Sequence, residues 1–69
     1  MADEEISLDD QIAEIDREIG FREKVYPRWV ESKNPRLTLH AARIHMARLR
    51  AVRASLVELK QLRQYRYSL

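Results

Sequence analysis

The sequence contains no cysteine, one glycine and two prolines among its 69 residues. Without cysteine there are no disulfides, and the only histidines, His40 and His45, are five apart and cannot form the i, i+4 pair of a helical metal site. A chain of this size buries only about 60% of the surface that its unfolded form exposes. Since small scaffolds add disulfides, metal or association to so small a core, we expect oligomerisation.

The sequence also lacks a membrane or targeting signal. No uncharged run approaches the ~20 residues of a membrane span, and the start, MADEEISLDD, is acidic where a signal peptide is basic and then apolar. The absence of cysteine fits a reducing compartment. We therefore expect a soluble cytoplasmic protein with no membrane partner.

Charge is divided unevenly along the chain. Residues 1–31 hold ten acids and four bases, whereas residues 32–69 hold nine bases and a single acid, Glu58. Two such halves can neutralise each other by packing side by side, or they can offer faces of opposite sign to different partners. The first interpretation is the simpler one.

Apolar spacing predicts an all-α chain, because no segment alternates as a strand does. A first helix over about 8–26 is indicated by Ser7 as N-cap and by a stripe of isoleucines. Pro27 cannot donate a backbone hydrogen bond, so we expect a kink or turn over 27–37. The members of the stripe are Ile12, Ile15 and Ile19.

A second helix of about 39–65 is predicted after Thr38, which is placed as an N-cap. It carries two apolar lines, a heptad-like seam and a second line through Ile44, Ala51, Ser55 and Leu62. One partner helix cannot cover both lines, so the sequence predicts a two-helix antiparallel hairpin, residues 1–69 as one domain, that forms a homodimeric bundle. The seam candidates for core or dimer contacts are Ala42, His45, Leu49, Val52, Leu56 and Leu59.

Few residues suggest catalysis. There is no glycine-rich phosphate loop, and acid pairs such as Glu14 and Glu18 are typical of a solvated helix face. We expect a protein that is not an enzyme and that has no cofactor.

A basic arc on the second helix is a better candidate for function. On a helical wheel, its four bases share one side with Leu39, Met46 and Val57. This arc could be a solvated face that complements the acidic helix, a surface for a protein partner, or a nucleic-acid contact, and the acidic half argues against the last. The bases are Arg43, Arg50, Arg53 and Lys60.

The stretch VYPRWV, residues 25–30, places a tyrosine and the only tryptophan around a proline. Tyr26 and Trp29 continue the apolar stripe, so they could close the core as a plug or form an exposed anchor for a partner. The candidates for partner binding are therefore Tyr26, Trp29, Arg43, Met46, Arg50, Arg53 and Val57.

The same stretch carries a resemblance. VYPRWV follows REIGFREK and precedes a leucine, a threonine cap and a long arginine-rich helix, and over roughly residues 17–62 this order resembles a family of very small Mu-like phage proteins. The chain is most similar to the quorum-sensing anti-activators of phages that infect pseudomonads. Val25, Tyr26, Pro27, Trp29 and Val30 match the motif of that family.

The resemblance implies an inhibitor in the host cytoplasm. It implies binding to the DNA-binding domain of a LuxR-type quorum-sensing activator, and binding to the type IV pilus assembly ATPase. Acids of the first helix could meet the basic DNA-binding face of the activator, and the arginine arc could serve the ATPase. The alternatives are a helical adaptor or assembly protein and a basic-helix nucleic-acid-binding protein. The acids are Asp9, Asp10, Glu14, Asp16 and Glu18.

Overall fold

The computed structural model describes residues 5–32 and 37–68, the last two of these for their backbone alone. Helix α1 is Leu8–Glu31 and helix α2 is Leu39–Ser68, and the described ranges contain no strand. The predicted all-α architecture with a longer second helix is confirmed. Residues 33–36, which are part of the predicted turn, and the terminal Leu69 lie outside the described residues.

Two ion pairs between the helices show that they are antiparallel. Lys60 Nζ lies 2.5 Å from Asp9 Oδ1, and Arg53 Nε lies 2.5 Å from Asp16 Oδ1. Moving seven residues forward along α1 therefore matches moving seven residues backward along α2. The two helices pack on each other as a hairpin.

Both helices begin at the caps that the sequence predicts. The Ser7 Oγ accepts a hydrogen bond from the backbone N–H of Asp10 at 3.0 Å, and the Thr38 Oγ1 accepts one from Ala41 at 3.0 Å. Each cap satisfies one of the N–H groups that have no partner within the first turn of a helix.

Loss of the first cap gives a stability prediction. Ser7→Ala is expected to lower the free energy of unfolding by about 1 kcal/mol, measured by urea denaturation. Ser55→Ala is the matched control, because Ser55 is exposed in the interior of α2 and alanine is the better helix former there. Equal effects of the two substitutions would contradict the capping role of Ser7.

Helix α1 continues beyond the predicted break. It runs through Pro27 to Glu31, and the N–H of Ser32 donates to the carbonyl of Arg28 at 2.9 Å. Continuation keeps Tyr26 and Val30 on the core side of one helix, where Tyr26 is 6% exposed, while Pro27 stays exposed. Burial of these side chains offsets the hydrogen bond that the proline cannot donate.

The core of the hairpin is small and lies toward the connection between the helices. Four side chains are buried, and the half-buried ones that pack against them include Ile15 and Leu49. A compact monomer of this mass exposes about 4,600 Å², whereas this chain exposes 6085 Å². The chain on its own therefore exposes more surface than is usual for a compact monomer of its mass. The buried residues are Ile19, Tyr26, Ala42 and Met46.

The face of α2 that meets α1 differs from the predicted seam. His45 is exposed, and Val52 and Leu59 are 47% and 39% exposed, so these three candidates for core or dimer contacts are not buried within the hairpin. Met46, assigned to the outward arc, is buried instead. The contact instead passes through Ala42, Met46 and Leu49, a line that is rotated from the predicted seam and brings Arg53 and Lys60 beside aspartates of α1. A role for the three exposed residues between two chains remains a prediction.

Of the other predicted core residues, Ile19 and Ala42 are buried and the rest are half-buried. The half-buried ones are Ile12 and Ile15 on α1 and Leu49 and Leu56 on α2, and Val57, a predicted partner contact, is also half-buried.

Candidate protein-binding surface

The aromatic pair of VYPRWV lies near the end of α1. The ring centroids of Tyr26 and Trp29 are 5.7 Å apart and their planes are inclined by 44°. Tyr26 is buried, but Trp29 remains 40% exposed. The pair thus combines the two predicted roles, since Tyr26 closes the core and Trp29 presents an indole to the outside.

Arg22 fixes the position of the Tyr26 ring. Its guanidinium carbon lies 5.6 Å from the ring centroid, and its Nη1 donates to the Tyr26 hydroxyl at 2.6 Å. Its Nε donates to Glu18 Oε1 at 2.7 Å. The hydrogen bonds to Tyr26 and then to Glu18 raise the pKa of Arg22, so the group stays charged. Arg22 therefore links the acidic surface of α1 to the aromatic end.

The basic arc of α2 is divided into a paired and an unpaired part. Arg53 and Lys60 bind aspartates of α1, and the hydrogen bond and charge of Asp16 raise the pKa of Arg53. Arg43 and Arg50 are exposed and form no ion pair within the described ranges. Mutual neutralisation of the two halves thus accounts for part of the arc, and the other part is free to bind.

The acids of α1 are neutralised to a similar degree. Besides the two aspartates paired across the helices, Glu14 pairs with Arg17, and Glu18 pairs with Arg22. Of the five acids proposed to meet a basic partner, four are thus in ion pairs, and Asp10 forms none within the described ranges. Helix α1 therefore does not present a broad unpaired acidic face to a partner.

A groove of about 510 Å³ lies between the helices beside the aromatic end. We call it the interhelical groove. Its floor is apolar, with Glu23 and Glu31 contributed by α1 and Arg43 and Arg50 contributed by α2 at its sides. The residues that line it are Arg22, Glu23, Tyr26, Pro27, Val30, Glu31, Leu39, Ala42, Arg43, Met46, Ala47 and Arg50.

The groove brings together four of the predicted partner contacts, Tyr26, Arg43, Met46 and Arg50. Trp29, Arg53 and Val57 do not line it. Sequence reasoning missed Glu23, Pro27 and Glu31, although their spacing of four places them on one side of a helix. The spacing indicates a common side only if one helix includes all three residues, whereas the sequence predicts a break at Pro27.

An apolar face lies on the other side of α2. Val52 directly precedes Arg53, so it is rotated by about 100° away from the ion pair with α1, and Leu59 stands in the same relation to Lys60. Large apolar side chains are also exposed further around the helix, where Ile44 is 37% and Leu62 is 58% exposed. This face has no covering element within the described chain.

Within residues 5–32 and 37–68, no group of three or more histidine and acidic side chains is arranged to hold a metal ion. Neither described helix is long and apolar enough to cross a membrane.

Comparison with known proteins gives no assignment: no family model, no curated protein and no solved structure matches this chain.

Proposed function

We propose that this chain is a phage-encoded inhibitor that acts in the host cytoplasm by binding host proteins. One target is a LuxR-type quorum-sensing activator, whose DNA-binding domain it covers, and the other is the type IV pilus assembly ATPase. The observation that carries the proposal is the partly exposed Trp29, which packs against Tyr26, a buried residue that also lines the open groove. The identity of the targets rests on the resemblance at VYPRWV.

The charges favour steric cover of the activator over attraction by a broad acidic surface. Four of the five proposed acids are already in ion pairs with bases of the chain. An exposed tryptophan and unpaired arginines are the side chains that most often dominate the energy of protein interfaces. The proposed contact therefore centres on Trp29 and the groove, and no chemical step is involved.

A homodimer is part of the proposal. The chain exposes about 1,500 Å² more than a compact monomer of its mass, and a standard interface removes about 800 Å² from each partner. The apolar face that includes Val52 and Leu59 is suited to this contact, because a second copy would cover both residues and complete a four-helix bundle.

Substitution on this face tests the dimer. Val52→Lys combined with Leu59→Lys is expected to halve the mass measured by sedimentation equilibrium, because four charges would be buried in each interface. Ala54→Lys combined with Gln61→Lys adds the same charge at exposed positions on the side of α2 that carries Arg50. This control is expected to leave the mass unchanged. A wild-type chain that sediments as a monomer would contradict the proposed dimer.

The function is tested by recovering partners from host lysate with the tagged full chain, followed by mass spectrometry. We expect the activator and the pilus ATPase to be recovered, and Trp29→Ala to lose at least one of them while it keeps its helicity. Tyr65→Ala is the control, since Tyr65 is an aromatic residue that is 65% exposed far from the groove.

Recovery of other binding partners would contradict the proposal and indicate a different function. Virion or assembly proteins alone would indicate the adaptor function. Retention on DNA that falls steeply with salt would indicate nucleic-acid binding, because such affinity depends on the release of counterions from phosphates.

A further inference from the structure

The interhelical groove has charges of opposite sign on its two sides. The charge of Arg22, which also lines the groove, is balanced by its ion pair with Glu18. The charges that remain are Arg43 and Arg50 on the α2 side and Glu23 and Glu31 on the α1 side. All four are exposed, and none is in an ion pair within the described ranges. Toward the other end of the hairpin, acids and bases of the two helices do pair across the contact. The charges at the groove are thus held apart and remain available to a ligand.

The floor between these charges is apolar and adaptable. Tyr26, Ala42 and Met46 are each less than 10% exposed and form its base, and Ala47 lines the α2 side. The two alanines allow a ligand to approach the backbone of α2 closely, and methionine adjusts its shape to different apolar side chains. The floor therefore favours a ligand with an apolar stripe.

The dimensions and the backbone of the groove indicate a helical ligand. From Leu39 to Arg50 the α2 side is about 16 Å long, which is three turns of an α-helix. The backbone groups of α1 and α2 are already bonded within their helices, so an extended peptide would find no ladder of partners. A helix satisfies its own backbone. Nucleic acid is disfavoured, because Glu23 and Glu31 would repel phosphates.

We propose that the interhelical groove binds an amphipathic α-helix of about three turns from a partner protein. The apolar stripe of that helix lies on the floor, its acidic flank lies beside Arg43 and Arg50, and its basic flank lies beside Glu23 and Glu31. The inference rests on the proposal that the chain acts by binding host proteins, and it states the chemistry of the bound segment.

The test uses two fluorescein-labelled helical peptides of about 14 residues with the same leucine stripe. The mixed peptide has glutamates on one flank and lysines on the other, and the basic peptide has lysines on both. Binding to the full-length protein is followed by fluorescence anisotropy. The wild-type protein is expected to prefer the mixed peptide by about tenfold, because the second lysine flank would meet Arg43 and Arg50.

Charge reversal on the protein is expected to invert this preference. In Arg43→Glu combined with Arg50→Glu both sides of the groove are acidic, so the basic peptide should bind about tenfold more tightly than the mixed one. Arg48→Glu combined with Arg63→Glu changes the net charge equally at exposed positions away from the groove, and should keep the wild-type preference. No saturable binding of the mixed peptide, or no inversion in the groove variant, would overturn the inference.

The remaining outcomes separate this inference from the proposed function and from self-association. If the groove variant fails to invert the preference but recovers the host partners as the wild type does, the groove inference is overturned and the inhibitor function stands. If the peptide preference inverts but the wild-type protein recovers no host partner from lysate, the inhibitor function is overturned and the groove inference is supported. If the groove variant loses self-association in sedimentation and the control variant does not, a second copy of the chain occupies the groove. The inference that a helix of a partner protein binds there is then overturned.

Discussion

Replacing Tyr26 with alanine is expected to destabilise the protein by about 3 kcal/mol or more, which would unfold much of so small a domain. The phenol is 6% exposed at the centre of a four-residue core, so its removal leaves a cavity that few neighbours can fill. The loss also frees Arg22 from the hydrogen bond to the hydroxyl. Far-UV circular dichroism with urea denaturation measures the effect.

Two companion variants divide this effect into its causes. Tyr26→Phe keeps the ring and removes only the hydrogen bond to Arg22, so we expect a loss of about 1 kcal/mol. Trp29→Ala is expected to keep the fold with a loss of about 1 kcal/mol, because the indole is 40% exposed. If Trp29→Ala unfolded the chain while Tyr26→Ala did not, the assignment of plug and anchor would be reversed.

Replacing Pro27 with alanine is expected to stabilise the protein by about 2 kcal/mol. Proline is about 3 kcal/mol less favourable than alanine inside a helix, and α1 continues through this position. Proline also restricts the unfolded chain, and losing this restriction reduces the expected gain in the free energy of unfolding by about 1 kcal/mol. The free energy of unfolding in urea is the measurement.

Gly20→Ala provides the matched control for this gain. A Cβ added at Gly20 meets no heavy atom within 4 Å, so alanine there should add about 1 kcal/mol through helix propensity alone. If Gly20→Ala stabilises the protein and Pro27→Ala does not, α1 does not continue through residue 27 in solution. Because Pro27 lines the groove, a more stable variant that binds host proteins less well would assign the proline to the binding surface.

The helices could be predicted from the sequence because their signals are local. Ser7 and Thr38 cap the residues that follow them, and the side chain of each accepts the backbone bond that its position requires. The isoleucine stripe likewise indicates the inward face of α1, on which Ile19 is buried. Local propensity and periodicity agree in these segments, and no distant contact is needed to decide them.

The rotation of α2 could not be predicted in the same way. Its sequence offers apolar side chains on several lines, and the choice depends on contacts with α1 that are far apart in sequence. In the structure Arg53 and Lys60 lie opposite Asp16 and Asp9, which are 37 and 51 positions away in the sequence. Met46 was therefore predicted on the outside although it is 9% exposed, and the groove beside it was not foreseen.

In the proposed function, this chain blocks a LuxR-type activator by covering its DNA-binding domain. The most direct measurement is the fluorescence anisotropy of labelled promoter DNA bound to a purified LuxR-type activator, as this protein is added. We expect the DNA to be released at saturation, and release to require more protein when Trp29→Ala is used. DNA that stays bound to the activator at every concentration, or DNA that binds this chain itself, would contradict the claim.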